Sequence, residues 1–261
     1  MDDDLPIERL LQIMRQLRDP ATGCPWDRAQ SFASLAPYTL EEACEVVDAL
    51  ERGDLDALPG ELGDLLFQVV FLSQLAAEAG RFDFHDVARG IGEKLLRRHP
   101  HVFGEAAGSE PAAGAWEGIK AAERRERGLK GVLADVPLSL PALSRAAKLG
   151  RRAAAVGFDW PDAAGAREKV LEEIRELDAA AAAGQAPAMA EELGDLLLAV
   201  SSWARQLGLD PETCLRQANG KFEARFGAME ADAQRAGQGP TGLTPAAWDA
   251  LWRRAKAGIQ S

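Results

Sequence analysis

The sequence predicts an all-α fold built as two tandem, duplicated helical bundles, and three observations carry that prediction. Apolar residues recur at helical spacing through almost every long segment, runs of alternating β-branched residues are missing, and one acidic pattern occurs twice at a constant interval. A chain of 261 residues is long for one simple helical domain and suits two of roughly 120 to 130 residues each. The 14 prolines and 25 glycines cluster between the periodic segments and form no low-complexity tract.

In the first segment Leu10, Leu11, Met14 and Leu17 follow the helical stride, and DPATGCP (19–25) ends it. Two helices follow, one carrying EEACE (41–45), the other ELGD (61–64), with Gly53 in the short link between them. Such a link predicts an antiparallel hairpin. The next helix runs into KLLRRHPHVF (94–103) and stops at Pro100, which lacks an amide donor and clashes with the preceding turn. Breakers follow at 104–115 (GEAAGSEPAAGA) and 128–141 (GLKGVLADVPLSLP). The second of these sets the expected boundary between an N-terminal helical domain, 1–135, and a C-terminal one, 136–261.

Beyond GFDWPDAAG (157–165), Val170, Leu171, Ile174 and Leu177 surround EEIRE (172–176). Gly184 and Pro187 mark a second hairpin turn, and EELGD (191–195) opens a helix paced by Leu193, Leu196, Val200, Trp203 and Leu207. KFEARF (221–226), the breaker QGPTGLTP (238–245) and the pair Trp252, Lys256 complete the second half. Glu42, Glu45, Glu61 and Asp64 each lie 131 positions before Glu173, Glu176, Glu192 and Asp195, since 173 minus 42 equals 195 minus 64. Looser matches keep the same order: Trp26 and Asp27 against Trp160 and Asp162, Lys94 against Lys221, Trp116 with Lys120 against Trp252 with Lys256. Similar blocks in one order are what duplication leaves.

Composition narrows the function. A net charge of −11 and a pI near 4.9 argue against nucleic acid or an anionic membrane as partner, because both need excess Lys and Arg to displace counterions. Cys24, Cys44 and Cys214 form no CxxC and indicate reduced thiols. The acidic MDDDLPIERL start lacks the regions of a signal peptide, and polar residues break the most apolar stretch, 65–77. A cytoplasmic location is expected.

The acids carry the chemistry. Residues i and i+3 lie about 60° apart on one side of a helix, so Glu173 with Glu176, and Glu192 with Asp195, each project two carboxylates together. The residues one and four after each first acid are apolar: Ile174 and Leu177, Leu193 and Leu196, Ala43 and Val46, Leu62 and Leu65. The acids are therefore expected to edge a buried stripe, and packing through it brings four carboxylates together in each hairpin. Such groups repel and raise one another's pKa values unless a cation neutralises them. An all-oxygen set suits a hard ion, Mg²⁺ or Mn²⁺, with Glu42, Glu45, Glu61 and Asp64 as a second site. A lone EExxE is more often a solvated face with partners such as Lys169 and Arg175. Recurrence in both halves outweighs that reading.

On these residues the chain resembles the MazG family of nucleoside triphosphate pyrophosphohydrolases, whose signature is EExxE followed by ExxD. PYTLEEACEVVDA, GELGDLLFQVVF, KLLRRHPHVFG, KLGRRAAAVGFDW and NGKFEARF stand in the expected order over nearly the whole chain. The resemblance implies an all-α NTP pyrophosphatase fold, Mg²⁺-dependent conversion of a nucleoside triphosphate to the monophosphate and pyrophosphate, and a homodimer. It implies metal ligation by Glu173, Glu176, Glu192 and Asp195, with Glu172 in the same catalytic group. It also implies substrate contacts from Lys169, Glu173, Glu191, Asp195, Lys221, Phe222, Glu223, Arg225, Trp252 and Lys256. Lys221 and Arg225 at i and i+4 suit phosphate oxygens, and an indole suits a base.

Rival readings are weaker. Against a catalytically silent nucleotide-binding or regulatory interaction protein that binds metal and partner on the same scaffold, the retained ExxD and basic residues favour catalysis. A di-iron helical oxidase would need ExxH ligands, which are missing. No Walker-type glycine loop is present, and the three histidines, His85, His99 and His101, make no nucleophilic arrangement. The C-terminal half is expected to supply most turnover, because Pro100 redirects the basic residues that would match KFEARF.

Overall fold

A computed structural model describes residues 5–104, 115–237, 239 and 241–258. The MDDD start and most of GEAAGSEPAAGA lie outside the described residues. Among those described, every regular element is a helix, as the periodicity predicts.

Helix α1 (Pro6–Leu17) begins with proline in its first turn, where an amide donor is not needed. A short α2 (Pro25–Ala29) leads to α3 (Phe32–Arg52), whose start is fixed by a capping box between Ser31 and Ser34. Gly53 ends α3 at φ 67°, a left-handed conformation that glycine adopts without penalty, and α4 (Leu58–Glu78) returns antiparallel. An Asp83–Asp86 capping box opens α5 (Phe84–Arg98). That helix stops just before Pro100, which begins the single turn α6 (Pro100–Phe103).

Helix α7 (Ala115–Glu126) precedes α8 (Ala142–Ala154). The Asp162 side chain accepts from the Gly165 amide at 2.9 Å to cap α9 (Ala163–Ala182), and Gly184, again at φ 67°, turns the chain into α10 (Ala186–Gln206). Gly53 and Gly184 are 131 positions apart, so the duplication extends to the backbone of the turn. Asp210 caps α11 (Pro211–Arg235), and Thr244 accepts from the Ala247 amide at the head of α12 (Pro245–Gly258).

The chain divides into two compact units, Met1–Trp116 and Glu117–Ser261. Residues 117–135, expected with the first half, therefore count with the second. In unit 1, α3 packs on α4, with α1 and α5 against α4, around Leu11, Met14, Leu35, Val70, Phe71 and Leu75. In unit 2, α9 packs on α10, and α8 contacts both α10 and α11. A separate cluster of Met229, Ala233, Leu251 and Ala255, flanked by Trp248 and Trp252, joins α11 to α12. No described helix is long and apolar enough to cross a membrane.

Candidate metal and nucleotide site

The α9–α10 hairpin gathers the C-terminal acids. Carboxylate oxygens of Glu173, Glu176 and Glu192 all lie within 4.8 Å of one another, and of the described residues only this trio gathers so closely. Asp195 lies outside the trio but acts on it. The Glu192 carboxyl is pushed above its ordinary value by desolvation and then by the charges of Glu176, Glu173, Glu191 and Asp195. In unit 1 the Glu42 carboxyl is likewise raised, first by desolvation and then by Asp64 and Glu45. Both hairpins thus hold repelling carboxylates, and the C-terminal set is the tighter.

The expected buried stripe is in part wrong. Ile174 and Leu193 are 40% and 48% exposed, and Leu62 is 49% exposed. The stripe that α9 buries is Ala166, Val170, Glu173 and Ala180, with Leu177 half-buried, a 4-3-4-3 spacing that includes the acid itself. Glu173 is only 3% exposed. Small residues let the two helices approach closely, and the apolar residues beside the acids face outward. A buried carboxylate needs a counter-charge. The Lys169 ammonium supplies it, 2.6 Å from Glu173 and 2.7 Å from Glu172, and these bonds push the lysine above its ordinary value. The basic partner of the solvated-face reading is therefore present, but it bridges to a carboxylate that solvent hardly reaches.

Beside this cluster a cavity of about 490 Å³ opens between α8, α9 and α10. Lys169, Glu173 and Asp195 line one part of it, and Leu149, Leu198 and Phe158 are among its apolar walls. Its far side is polar. The Arg205 guanidinium grips both carboxylate oxygens of Asp159, which holds that carboxyl below its ordinary range. Arg205 Nε is buried with no hydrogen-bond partner among the described residues. A Cβ on Gly150 would stand 3.1 Å from that nitrogen, so glycine is what lets α8 come so near. Sequence reasoning missed Phe158, Asp159, Ser202 and Arg205. A signal was present, since Asp195, Leu198, Ala199, Ser202 and Arg205 continue the ExxD motif along one face of α10.

The other expected contacts, Lys221, Phe222, Glu223, Arg225, Trp252 and Lys256, do not line this cavity. They sit on α11 and α12, where the Trp252 ring lies 5.9 Å from Phe222 and 5.8 Å from the Arg225 guanidinium carbon. Lys221 and Phe222 are exposed, as are Glu191 and Lys256.

The model of the MazG nucleotide pyrophosphohydrolase domain matches twice, at residues 30–103 and 164–227, which contain both acidic hairpins. The chain belongs to the MazG family. Among its relatives are nucleoside triphosphate pyrophosphohydrolases of Escherichia coli (strain K12), 49% identical over 96% of this chain and 97% of that protein, and of Thermotoga maritima, 42% identical over 97% of each. A Mycobacterium tuberculosis protein of the same name is 39% identical over 58% of this chain and 46% of its own length. Tandem MazG domains thus explain the 131-residue repeat, and the MazG family is metal-dependent, in keeping with the acidic trio.

Proposed function

We propose that this MazG protein hydrolyses nucleoside triphosphates to the monophosphate and pyrophosphate, with Mg²⁺ (Mn²⁺ a substitute) held by Glu173, Glu176, Glu192 and Asp195. The observation that carries the reading is the convergence of three carboxylate oxygens within 4.8 Å beside a largely apolar cavity. The donor set fits a hard divalent cation: it is all oxygen, and desolvation together with mutual repulsion already raises Glu192. When bound, the metal supplies charge neutralisation and polarisation of phosphate oxygens.

The protein's own groups do the rest. Lys169, tied to Glu172 and Glu173, stands where an ammonium can orient a phosphate oxygen once a cation takes over the carboxylates. The cavity takes the nucleoside against its apolar walls. Water attacks the α-phosphorus, the bond to the bridging oxygen breaks, pyrophosphate leaves, and a carboxylate of the cluster, with Glu172 and Glu191 at its edge, receives the proton. Glu42, Glu45, Glu61 and Asp64 form a second, weaker metal site.

Lys221, Phe222, Glu223, Arg225, Trp252 and Lys256 serve substrate from α11 and α12 within a homodimer acting in the cytoplasm. The outward Ile174, Leu193 and Leu197, the last 50% exposed, support a second copy as their cover. Light scattering is expected to give twice the 28.0 kDa chain mass. The deciding experiment incubates the protein with a triphosphate panel and Mg²⁺ and separates products. Monophosphate plus pyrophosphate is expected. Orthophosphate with a diphosphate, or a metal-independent rate, would overturn the reading.

A further inference from the structure

The register that aligns the acids of the two hairpins continues into the core, and there the residues diverge. Because 202 minus 71 equals 195 minus 64, Ser202 corresponds to Phe71, Ala199 to Gln68, Leu198 to Phe67 and Lys169 to Tyr38. Burial follows the same register: Val70 and Ser201 are both at 0%, and Gln68 and Ala199 both at 5%. In unit 2 these positions line the cavity beside Glu173 and Asp195. In unit 1 Phe71 is wholly buried, its ring centroid 5.6 Å from Phe67 and 6.5 Å from Trp26, with the Arg18 guanidinium carbon 5.6 Å from the ring centre. Trp26, which matches the cavity residue Trp160 only loosely, 134 positions apart, meets Tyr38 edge-on at 6.1 Å. A phenyl group and a pyrimidine are both planar six-membered rings. An aromatic side chain of the protein therefore occupies in unit 1 the kind of space that unit 2 leaves open.

We propose that position 202, with Phe71 as its counterpart, decides which acidic cluster accepts a nucleoside: Ser202 keeps the chamber open to a base, whereas Phe71 fills the equivalent space from within. The unit 1 carboxylates are then accessible to a metal ion or an inorganic polyphosphate but not to a nucleotide seated as in unit 2. This inference rests on the reading of the unit 2 cluster as a triphosphate site, and it makes Ser202 a specificity-determining residue that touches the nucleoside and not the phosphates.

The test uses the full chain with Ser202→Phe and Ser202→Leu, measuring kcat and KM for four nucleoside triphosphates and, separately, Mn²⁺-dependent binding of inorganic tripolyphosphate. KM is expected to rise by about tenfold or more for every nucleotide, further for Phe than for Leu, because overfilling a packed space commonly costs that much. Tripolyphosphate affinity and the number of sites bound both stay at the wild-type values, which misfolding of unit 2 would not allow, because unit 1 alone would bind fewer. An unchanged KM in folded Ser202→Phe, or a parallel loss of tripolyphosphate, overturns the inference. Should Ser202→Phe fail to fold, Ser202→Leu and Ala199→Gln, which installs the unit 1 residue, carry the same test with the same outcomes. If the wild-type protein neither binds nor cleaves any triphosphate, the triphosphate reading falls and this inference with it. Wild-type turnover alongside an indifferent Ser202→Phe sinks this inference alone.

Discussion

The α3–α4 and α9–α10 hairpins carry the same acids at the same spacing around the same glycine turn, yet they surround them differently. In the C-terminal hairpin Glu173 is buried against Lys169 and opens onto a cavity. In the N-terminal hairpin Glu42 is half-buried, Tyr38 stands where that lysine would be, and Phe71 closes the core behind it. The difference teaches that a ligand motif records a capacity to hold a cation. Its neighbours, one and two helical turns away, decide whether anything else can approach.

The comparison breaks most visibly at the acids themselves. Glu192→Gln is expected to lower kcat/KM by more than about a hundredfold, the scale for removing a group that stabilises transition-state charge. Glu61→Gln, checked for the same helicity and dimerisation, is expected to change it little. Equal losses in the two variants would show that both units turn over, and loss from Glu61→Gln alone would show that the working unit is the first.

Stability should report the opposite asymmetry. Phe71→Ala removes a fully buried ring and is expected to destabilise unit 1 by about 3–5 kcal/mol, whereas Ser202→Ala, at a cavity wall, should cost less than about 1 kcal/mol. Urea unfolding followed by circular dichroism checks both, and similar midpoints would refute the closed-versus-open contrast.

Lys169 offers a finer test. Lys169→Met leaves the Glu173 carboxylate buried without its ammonium, so Tm in chelator is expected to fall. Mn²⁺ should then raise Tm by more than it does in the wild type, because the cation replaces the lost charge. A smaller metal-induced rise would mean that the lysine supports the metal site and does not substitute for it.

The smallest effect expected is at acid pH. Hydrogen bonds from Arg205 lower the Asp159 carboxyl from its ordinary 3.8, and in unit 1 Arg18 lowers Glu78 from 4.5. A carboxyl lowered by folding stabilises the protein fully above its ordinary value, and that contribution disappears as pH falls through the lowered one. Asp159→Asn should therefore lose about 1 kcal/mol of stability at neutral pH, with the deficit starting to shrink near pH 3.8 and gone once pH is under the lowered value. A deficit that grows on acidification would contradict the assignment.

Much of this was legible in the sequence. The stop before Pro100 and the paired turns at Gly53 and Gly184 are local devices, written within a few residues of where they act. The acidic trio was legible because i and i+3 share a helix side, and the hairpin link was short enough to force antiparallel return. The cavity was not. Asp159 and Arg205 are 46 positions apart, and nothing in either local pattern announces that a bidentate pair joins them.

The sequence by itself determined the helices, the duplication and which acids share a helix side, because periodicity and repeat spacing are properties of neighbouring residues on one backbone. Only the tertiary structure decided which side of each helix is inside. Ile174 and Leu193 read as core yet face outward, while Glu173 reads as an edge and lies buried against α10. Burial is conferred by whatever packs from elsewhere in the chain. α9 packs on α10, Ala166, Ala180 and Ala199 are buried, and the enclosed charge of Glu173 has Lys169 at hand to balance it.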